Sequence, residues 1–525
     1  DALAKWPRAP PAGAEKAHEV MESLAKGVPL HAWLPSTSHL VSRVCHRKQN
    51  TRELVGALLA KLLAEYTPQL AWAVVPMTLE ANPKSRERKR AHEHIVAQAK
   101  GKLMGNGKGH LAECIKVASN VTRELKRVMD DQAWGKKEKA ASMSRRWAAL
   151  YRMKHLPLVV PIHATLTAAE PTPGAGASKH HRPFAEDAVT IDGWEDHVDV
   201  LSSLMRPKKV VVIGSDGQRY PLLAKPKDDL RKDTRMIEFM TLANRLMLRS
   251  AQCRRRRLEV RCYGVTPLGD DSGLIEWAAN VLPIRSVVKE QWDQSRVSYS
   301  HHEVRAKYDA AKVAAAGRGE KARVDALARW CEGMMKDLPP VLHLWFVESF
   351  RAPSAWFDAR LSYARSLGVM SMLGYAVGLG DRHLENLLID ATSGAAMHVD
   401  FGCLFDHGLN LEHPERVPFR LTQNLIHAMG VTGVEGVFRR VCELTLEQLR
   451  THREALLDVI GTLRHDPLVD WRKRNAQEDE SGVKDSAEAT KELKKIDSKL
   501  NGIIESRGPT PLTVSGQVQA LIAEA

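Results

Sequence analysis

Between residues 33 and 156 apolar side chains recur at the spacing of one helix face. Leu54, Val55, Leu58, Leu59, Leu62 and Leu63 form such a stripe, with Asn50 ahead of it as N-cap and Glu53 three residues later. Thr67-Pro68 stops the pattern, because a proline steers the residue before it out of the helical region. Further helices are expected at 90–104, 109–132 and 137–153, so the segment reads as stacked helix pairs of a solenoid without a fixed repeat. "AAEPTPGAGASKHHRPF" (168–184) reads as a linker. Beyond it the period shortens: 208–214, 220–225, 258–268 and 273–278 are β-branched or apolar runs between turn residues, hence strands. From about 326 helices dominate again, with short strands at 387–390 and 396–400. Residues 473–486 are polar and expected to be mobile. Leu493, Ile496, Leu500 and Ile503 then line one face of a charged helix, and a last helix starts at Ser515. A strand-rich block followed by a helix-rich block predicts a two-lobed α+β architecture behind an α-solenoid.

Composition bounds this picture without redirecting it. The 525 residues exceed one ordinary core and suggest three or four domains. The chain opens at Asp1 and stops inside an apolar stripe, so it reads as a piece of a larger protein. A formal charge of +14 is concentrated in "KSRERKRAH" (84–92) and Arg254 to Arg257. Such runs are solvated helix faces before they are nucleic-acid contacts, since no aromatics are interleaved to stack on bases. Seven scattered cysteines form no Cys-x-x-Cys pair, which argues against zinc or a disulfide framework and for a reducing compartment. With no run of 18 apolar residues, no membrane span is expected.

The chemistry sits in "VGLGDRHLENLLID" (377–390) and "HVDFG" (398–402). Phosphoryl transfer needs a phosphate cradle and lysine, carboxylate and amide ligands for Mg²⁺, and a base for the attacking hydroxyl. Asp381 and Asn386 are five residues apart, the Asp-to-Asn spacing of the protein-kinase catalytic loop, and Asp400 follows Asn386 by fourteen. A hairpin with its tip at "DATSGAA" would return Asp400 to Asn386, where both can ligate one cation and Asp381 can face a hydroxyl. His383 stands two residues after Asp381 rather than before it. Alone, "GDRH" would read as a helix C-cap turn with a surface ion pair; the downstream Asp400-Phe401-Gly402 makes that reading the weaker one. "IGSDGQRY" places Gly214, Ser215, Asp216 and Gly217 in a tight turn whose amides could lie over phosphates. Lys225 ends the next strand, with Asp228 or Asp233 as ion-pair partner.

"KPKDDLRKD", "GLGDRHLENLLID" and "HVDFG" together resemble the phosphatidylinositol-3-kinase-related protein kinases. The likeness is strong over about 195–472 and weaker on either side. It implies the end of a FAT domain at 1–165, a linker at 166–195, a kinase N-lobe at 196–280 and a C-lobe at 281–472. A regulatory segment at 473–508 and the start of a FATC domain at 509–525 would follow. It further implies that Tyr263 and Trp277 line the adenine pocket, with Leu388 in the same cofactor-binding set and the Glu276–Ala278 backbone as hinge. Lys225 would reach the ATP phosphates beside Gly214 and Ser215, Asp381 and His383 would serve the hydroxyl and the γ-phosphoryl, and Asn386 and Asp400 would bind Mg²⁺ or Mn²⁺. Residues 400–421 would form the activation segment. The family phosphorylates Ser or Thr followed by Gln, and the resemblance also implies a nuclear checkpoint enzyme of the DNA-damage response. Implied partners are a dedicated regulatory subunit, activator proteins and, indirectly, coated single-stranded DNA, with a dimer of heterodimers in the full-length protein and no membrane. Residues 296–325 depart from the family's text, and the FATC end is short.

Two alternatives stay open. A lipid kinase shares this loop, but "DFGCLFDHGLNLEHPERVPFR" offers only Arg416 and Arg420 against Asp406, Glu412 and Glu415, a poor grip for an anionic headgroup. A catalytically inactive scaffold of the same family is the other, although every part the mechanism requires is present.

Overall fold

The computed structural model describes residues 11–46, 48–79, 85–133, 138–171, 181–202, 205–297, 300–314, 316, 319–411, 414–461 and 483–525. Residues 172–180 of the expected linker, Glu412, and residues 473–482 of the polar run lie outside them. The chain divides into two compact units, one of Asp1–Thr241, Cys262–Ala278 and Glu454–Leu493, the other of Leu242–Arg261, Ala279–Arg453 and Lys494–Ala525.

In the first unit the helices Gln49–Glu65, Thr67–Val74, Ser85–Lys102 and Asn106–Asp130 follow one another. Val55, Leu58, Leu59, Leu62 and Leu63 bury the expected stripe against Leu70, Val74, Ile95 and Leu111. The expected N-cap is not used. The helix is already formed at Gln49, and Arg52 N donates to Lys48 O at 3.2 Å. Glu53 is taken by the Gln49 side-chain amide at 2.7 Å, so the apparent capping box is an i,i+4 pair inside the helix. The helix expected at 137–153 is instead β1 (Ala140–Ser142) and two short turns, Met143–Arg146 and Ala148–Tyr151. Asp196 causes the break by accepting from Ser144 N at 2.7 Å and Ser142 Oγ at 3.0 Å.

That strand belongs to a seven-stranded antiparallel sheet with β2 (Ile191–Trp194), β3 (His197–Val200), β4 (Lys208–Gly214), β5 (Arg219–Pro226), β6 (Val265–Pro267) and β7 (Ser272–Glu276). The order is β1-β3-β4-β5-β7-β6, with β2 also paired to β4. Val210 and Val212 of β4 and Leu222 and Ala224 of β5 share one core with Trp72, Cys114, Val121 and Leu125 of the helices. Trp72 Nε1 donates to Val159 O at 2.9 Å within it. Lys208, fully buried in β4, donates to Met129 O at 2.9 Å and Asp131 O at 2.7 Å. It thus satisfies carbonyls at the end of Asn106–Asp130 that no helical amide can reach. Burial pushes its amine down to about 8, against the pull of Asp131 and Asp130. The expected strand 258–268 pairs only at Val265–Pro267. Upstream, Asn244 takes both main-chain groups of Val260, at 2.9 and 2.8 Å, in place of a neighbouring strand.

In the second unit β8 (Val281–Pro283), β9 (Leu387–Asp390) and β10 (Ala396–His398) form an antiparallel sheet of order β10-β9-β8. The expected strand 396–400 therefore ends at His398. The helix Pro353–Val377 is buried on nearly every side from Tyr363 on and stops at Gly378, whose φ of +62° suits glycine. It packs on Val437–Thr451, where a Cβ on Gly368 would meet Val441 Cγ1 at 3.0 Å. Val437–Thr451 in turn receives Val514–Glu524, which starts one residue before the expected Ser515. The helix Val483–Leu500 already runs through 483–486, which the sequence suggested as mobile. The divergent 296–325 stretch contributes to paired helices His301–Ala314 and Glu320–Asp337, joined by a Tyr308–Trp330 ring contact at 5.2 Å. Among the described residues no helix is long and apolar enough to cross a membrane.

Candidate active site

The second unit gathers Asp381, His383, Asn386 and Asp400 at the open end of the β9–β10 hairpin. His398 pairs with Leu387, and Val399 N donates to Asn386 O at 3.1 Å, so Asp400 lies one residue beyond the pairing to Asn386. Asn386 is buried, and its Nδ2 donates to Asp381 O at 2.9 Å, which leaves the amide oxygen as its acceptor end. Asp381 and Asp400 both hold positive φ, +58° and +61°, a conformation that non-glycine residues keep only when their surroundings impose it.

Arg382 supplies much of that imposition. Buried to 5% exposure, it donates Nε to Gly380 O at 2.8 Å, one fork nitrogen to Val399 O at 2.8 Å and the other to Asp400 O. One guanidinium thereby ties the loop before the candidate base to the turn that carries the candidate metal carboxylate. His383 Nε2 is 3.9 Å from Asp381 Oδ1, with both side chains half exposed. His398, at the end of β10, is buried; burial, and then the Arg382 charge, push its imidazole down to about 3, so it is neutral at physiological pH. Leu388 faces the half-buried side of β9.

The stretch 400–421, expected as the activation segment, folds back on this loop. Gly380 N donates to Cys403 O at 2.8 Å, Phe405 N to Val377 O at 2.9 Å and Asp406 N to Gly378 O at 2.9 Å. Glu415 Oε2 accepts the main-chain N–H of Asp381 at 2.6 Å. Asp406 is held by Lys499 at 2.9 and 3.2 Å, and Lys499 also lies over the Tyr375 ring at 5.3 Å. Arg420 is half-buried, and desolvation lowers its guanidinium from the ordinary value against the pull of Glu415.

The first unit carries the other candidates. Lys225, at the end of β5 and opposite Gly273, is paired with Asp228 at 2.5 Å. Asp233 is buried in the first turn of Arg231–Arg249. The 214–217 turn is tied within itself and to Thr190. Gly214 N donates to Gln218 O, Ser215 N to Thr190 O and Gly217 N to Gly214 O, all at 2.8–2.9 Å, while Gln218 N reaches Asp216 Oδ1 at 3.0 Å. Three of the four amides that the sequence suggested as a phosphate cradle are thus already engaged. Tyr263 is buried and Trp277 half-buried with Lys209 over its ring at 5.0 Å. The Glu276 carboxylate accepts from His163 N and Gly264 N, both at 2.7 Å, so its side chain fixes backbone, while Glu276 N donates to Gly264 O at 2.8 Å and Trp277 N to Pro221 O at 3.0 Å.

The donors suit a hard cation. Asn386 and Asp400 offer one amide and one carboxylate oxygen, and a Mg²⁺ held there would take its remaining ligands from phosphate and water. Among the described residues no cluster of three or more His, Cys, Asp or Glu side chains could hold a metal ion, and a Mg²⁺ bound in this manner needs none. The sequence named Arg382 and Lys499 only as letters and Glu415 only as a charge. Apart from the Arg382–Gly380 contact, their partners are 17 to 124 residues distant, beyond any spacing rule.

Comparison with known proteins assigns the class first. A family model described as "Phosphatidylinositol 3- and 4-kinase" matches residues 219–473, and one described as "Serine/threonine-protein kinase ATR-like, HEAT repeats" matches 16–115. The chain is 37% identical over 520 residues to "Serine/threonine-protein kinase ATR" of Arabidopsis thaliana, covering 97% of this chain and 18% of that protein. It is 34% identical over 518 residues to "Protein kinase rad3" of Schizosaccharomyces pombe, covering 97% and 21%. The solved "FAT and kinase domain of CtTel1" superposes with a TM-score of 0.80 at 26% identity, over 100% of this chain and 34% of that one. The chain belongs to the ATR-type kinases of the phosphatidylinositol-3-kinase-related family. It spans about a fifth of the length of the curated relatives it matches.

Proposed function

We propose that the chain carries the catalytic module of an ATP-dependent serine/threonine protein kinase. Its targets are Ser or Thr followed by Gln, and it serves the DNA-damage and replication-stress checkpoint in the nucleus. The observation that carries this reading is the hairpin register that sets Val399 N on Asn386 O, with Asp400 the next residue, while Asn386 holds the main chain of Asp381. Asp381 orients the substrate hydroxyl and accepts its proton, and His383 lies beside it toward the transferring phosphoryl. Lys225, with Asp228 as counter-ion, contacts the phosphates near Gly214 and Ser215. Tyr263, Trp277, Ala278, the Glu276 main chain and Leu388 serve the adenine. Asn386 and Asp400 hold Mg²⁺, or Mn²⁺ in its place, which when bound neutralises charge developing on the phosphates.

A protein substrate is favoured over a phosphoinositide by the charge of the activation segment. Arg416 is exposed, Arg420 is half-buried and interacts with Glu415, and Lys499 is already committed to Asp406. That leaves little positive field for an anionic headgroup. A dedicated regulatory subunit, activator proteins, indirect recruitment to coated single-stranded DNA and a dimer of heterodimers complete the proposal for the full-length protein. The test offers full-length protein, Mg²⁺ and ATP both a Ser-Gln peptide and phosphoinositide vesicles. The expected outcome is phosphopeptide, with Asp381→Ala and Asp400→Ala each lowering the rate about 10²–10⁴-fold. Lipid phosphorylation with an inert peptide makes it a lipid kinase; equal inactivity of parent and variants makes it a scaffold.

A further inference from the structure

Glu415 stands outside every role assigned so far, yet it makes one of the shortest polar contacts at the site. Its Oε2 accepts the Asp381 N–H at 2.6 Å across 34 residues of chain. The approach is built. Glu415 N donates to Gly408 O at 3.0 Å, which turns the residue back toward the loop. A Cβ on Gly408 would meet Glu415 Oε2 at 3.0 Å, and a Cβ on Gly380 would meet Gly408 Cα at 2.8 Å. Two glycines therefore let the activation segment and the catalytic loop cross at backbone contact, and Glu415 closes the crossing. Asp381 needs such a restraint. Its φ of +58° is uphill for an aspartate, so without a fixed amide the residue would relax and swing its carboxylate away. A charge-assisted hydrogen bond to the amide is of the strength that holds a strained residue.

We infer that Glu415 is a positioning residue: from the activation segment it fixes the main chain of Asp381, so the base is aligned only while that segment keeps this fold. The inference rests on Asp381 being the base. It concerns turnover and not nucleotide binding, because Glu415 touches neither Lys225, Asn386 nor Asp400 in any contact described.

The experiment uses full-length protein, a Ser-Gln peptide and a fluorescent ATP analogue with Mg²⁺. Glu415→Ala is expected to lower kcat about 10²-fold, the cost of an ångström-scale misalignment, with nucleotide affinity within about twofold of the parent. Glu415→Gln keeps an acceptor oxygen and should retain most of the turnover. The double variant Asp381→Ala/Glu415→Ala should be no slower than Asp381→Ala alone, since a residue acting through the base has nothing further to lose. Should Glu415→Ala not fold, the Glu415→Asp variant, one methylene short of the amide, takes its place with the same expectations in milder form. Unchanged kcat in both, loss of nucleotide affinity in step with kcat, or additive losses in the double variant would overturn the inference. If Asp381→Ala itself keeps full activity, the site reading fails instead, and the two failures are told apart.

Discussion

At the scale of single residues the site depends on side chains that hold backbone. Arg382 reaches three carbonyls with one planar group, a task a lysine cannot copy with a single point charge. Arg382→Lys should therefore raise the Mg²⁺ needed for half-maximal nucleotide binding about tenfold, equivalent to about 1.4 kcal/mol, one net charge-assisted hydrogen bond. Titration of the fluorescent analogue against Mg²⁺ measures it, and an unchanged midpoint would show that the fork does not position Asp400. The spacing of Asp381, Asn386 and Asp400 was legible in the sequence because one loop and one hairpin set it locally. Arg382, Glu415 and Lys499 were not, since what they hold is brought near only by the tertiary fold.

At the scale of elements, termini and crossings carry the strain. Gly378 ends Pro353–Val377 at φ +62°, and a Cβ there would stand 2.5 Å from Asp406 N. Gly378→Ala combines left-handed strain with a backbone clash and should cost about 1–3 kcal/mol, read as a lower thermal midpoint accompanied by loss of turnover. Lys208 gives a pH signature. Its folded amine titrates near 8, below the ordinary 10.5, so between those values the unfolded chain holds a proton that the folded chain has released. Stability contributed by this group accordingly rises with pH across that window and is flat below it. Thermal midpoints from pH 8 to 10 should climb in the parent relative to Lys208→Met; parallel curves would place the amine's titration elsewhere. The β-branched runs of β4 and β5 announced themselves, being long and central. Three-residue strands such as β1 carry no periodic signal, and nothing in the local text of 258–264 says that Asn244 stands in for a neighbour.

At the scale of the molecule the terminal helix is part of the C-lobe core. Gln517 is fully buried and donates to Lys499 O at 2.8 Å and the Tyr375 hydroxyl at 3.3 Å, while Arg450 donates to it at 3.3 Å. Gln517→Leu keeps the volume but strands those polar groups, and should cost about 1–3 kcal/mol in thermal or denaturant unfolding. The two-lobed plan was readable from where the strand-rich text gives way to helix. The merger of the helical segment with the sheet was not, because it depends on which faces meet. That merger bears on how the enzyme can be produced. A recombinant piece starting near residue 196, where the kinase-like text begins, would strip β1 from the edge of β3, remove β2 from β4 and leave Lys208 charged in an apolar face without its two carbonyls. Inclusion bodies are its expected fate, whereas a start that keeps the preceding helices, Trp72 of the shared core included, should give soluble protein.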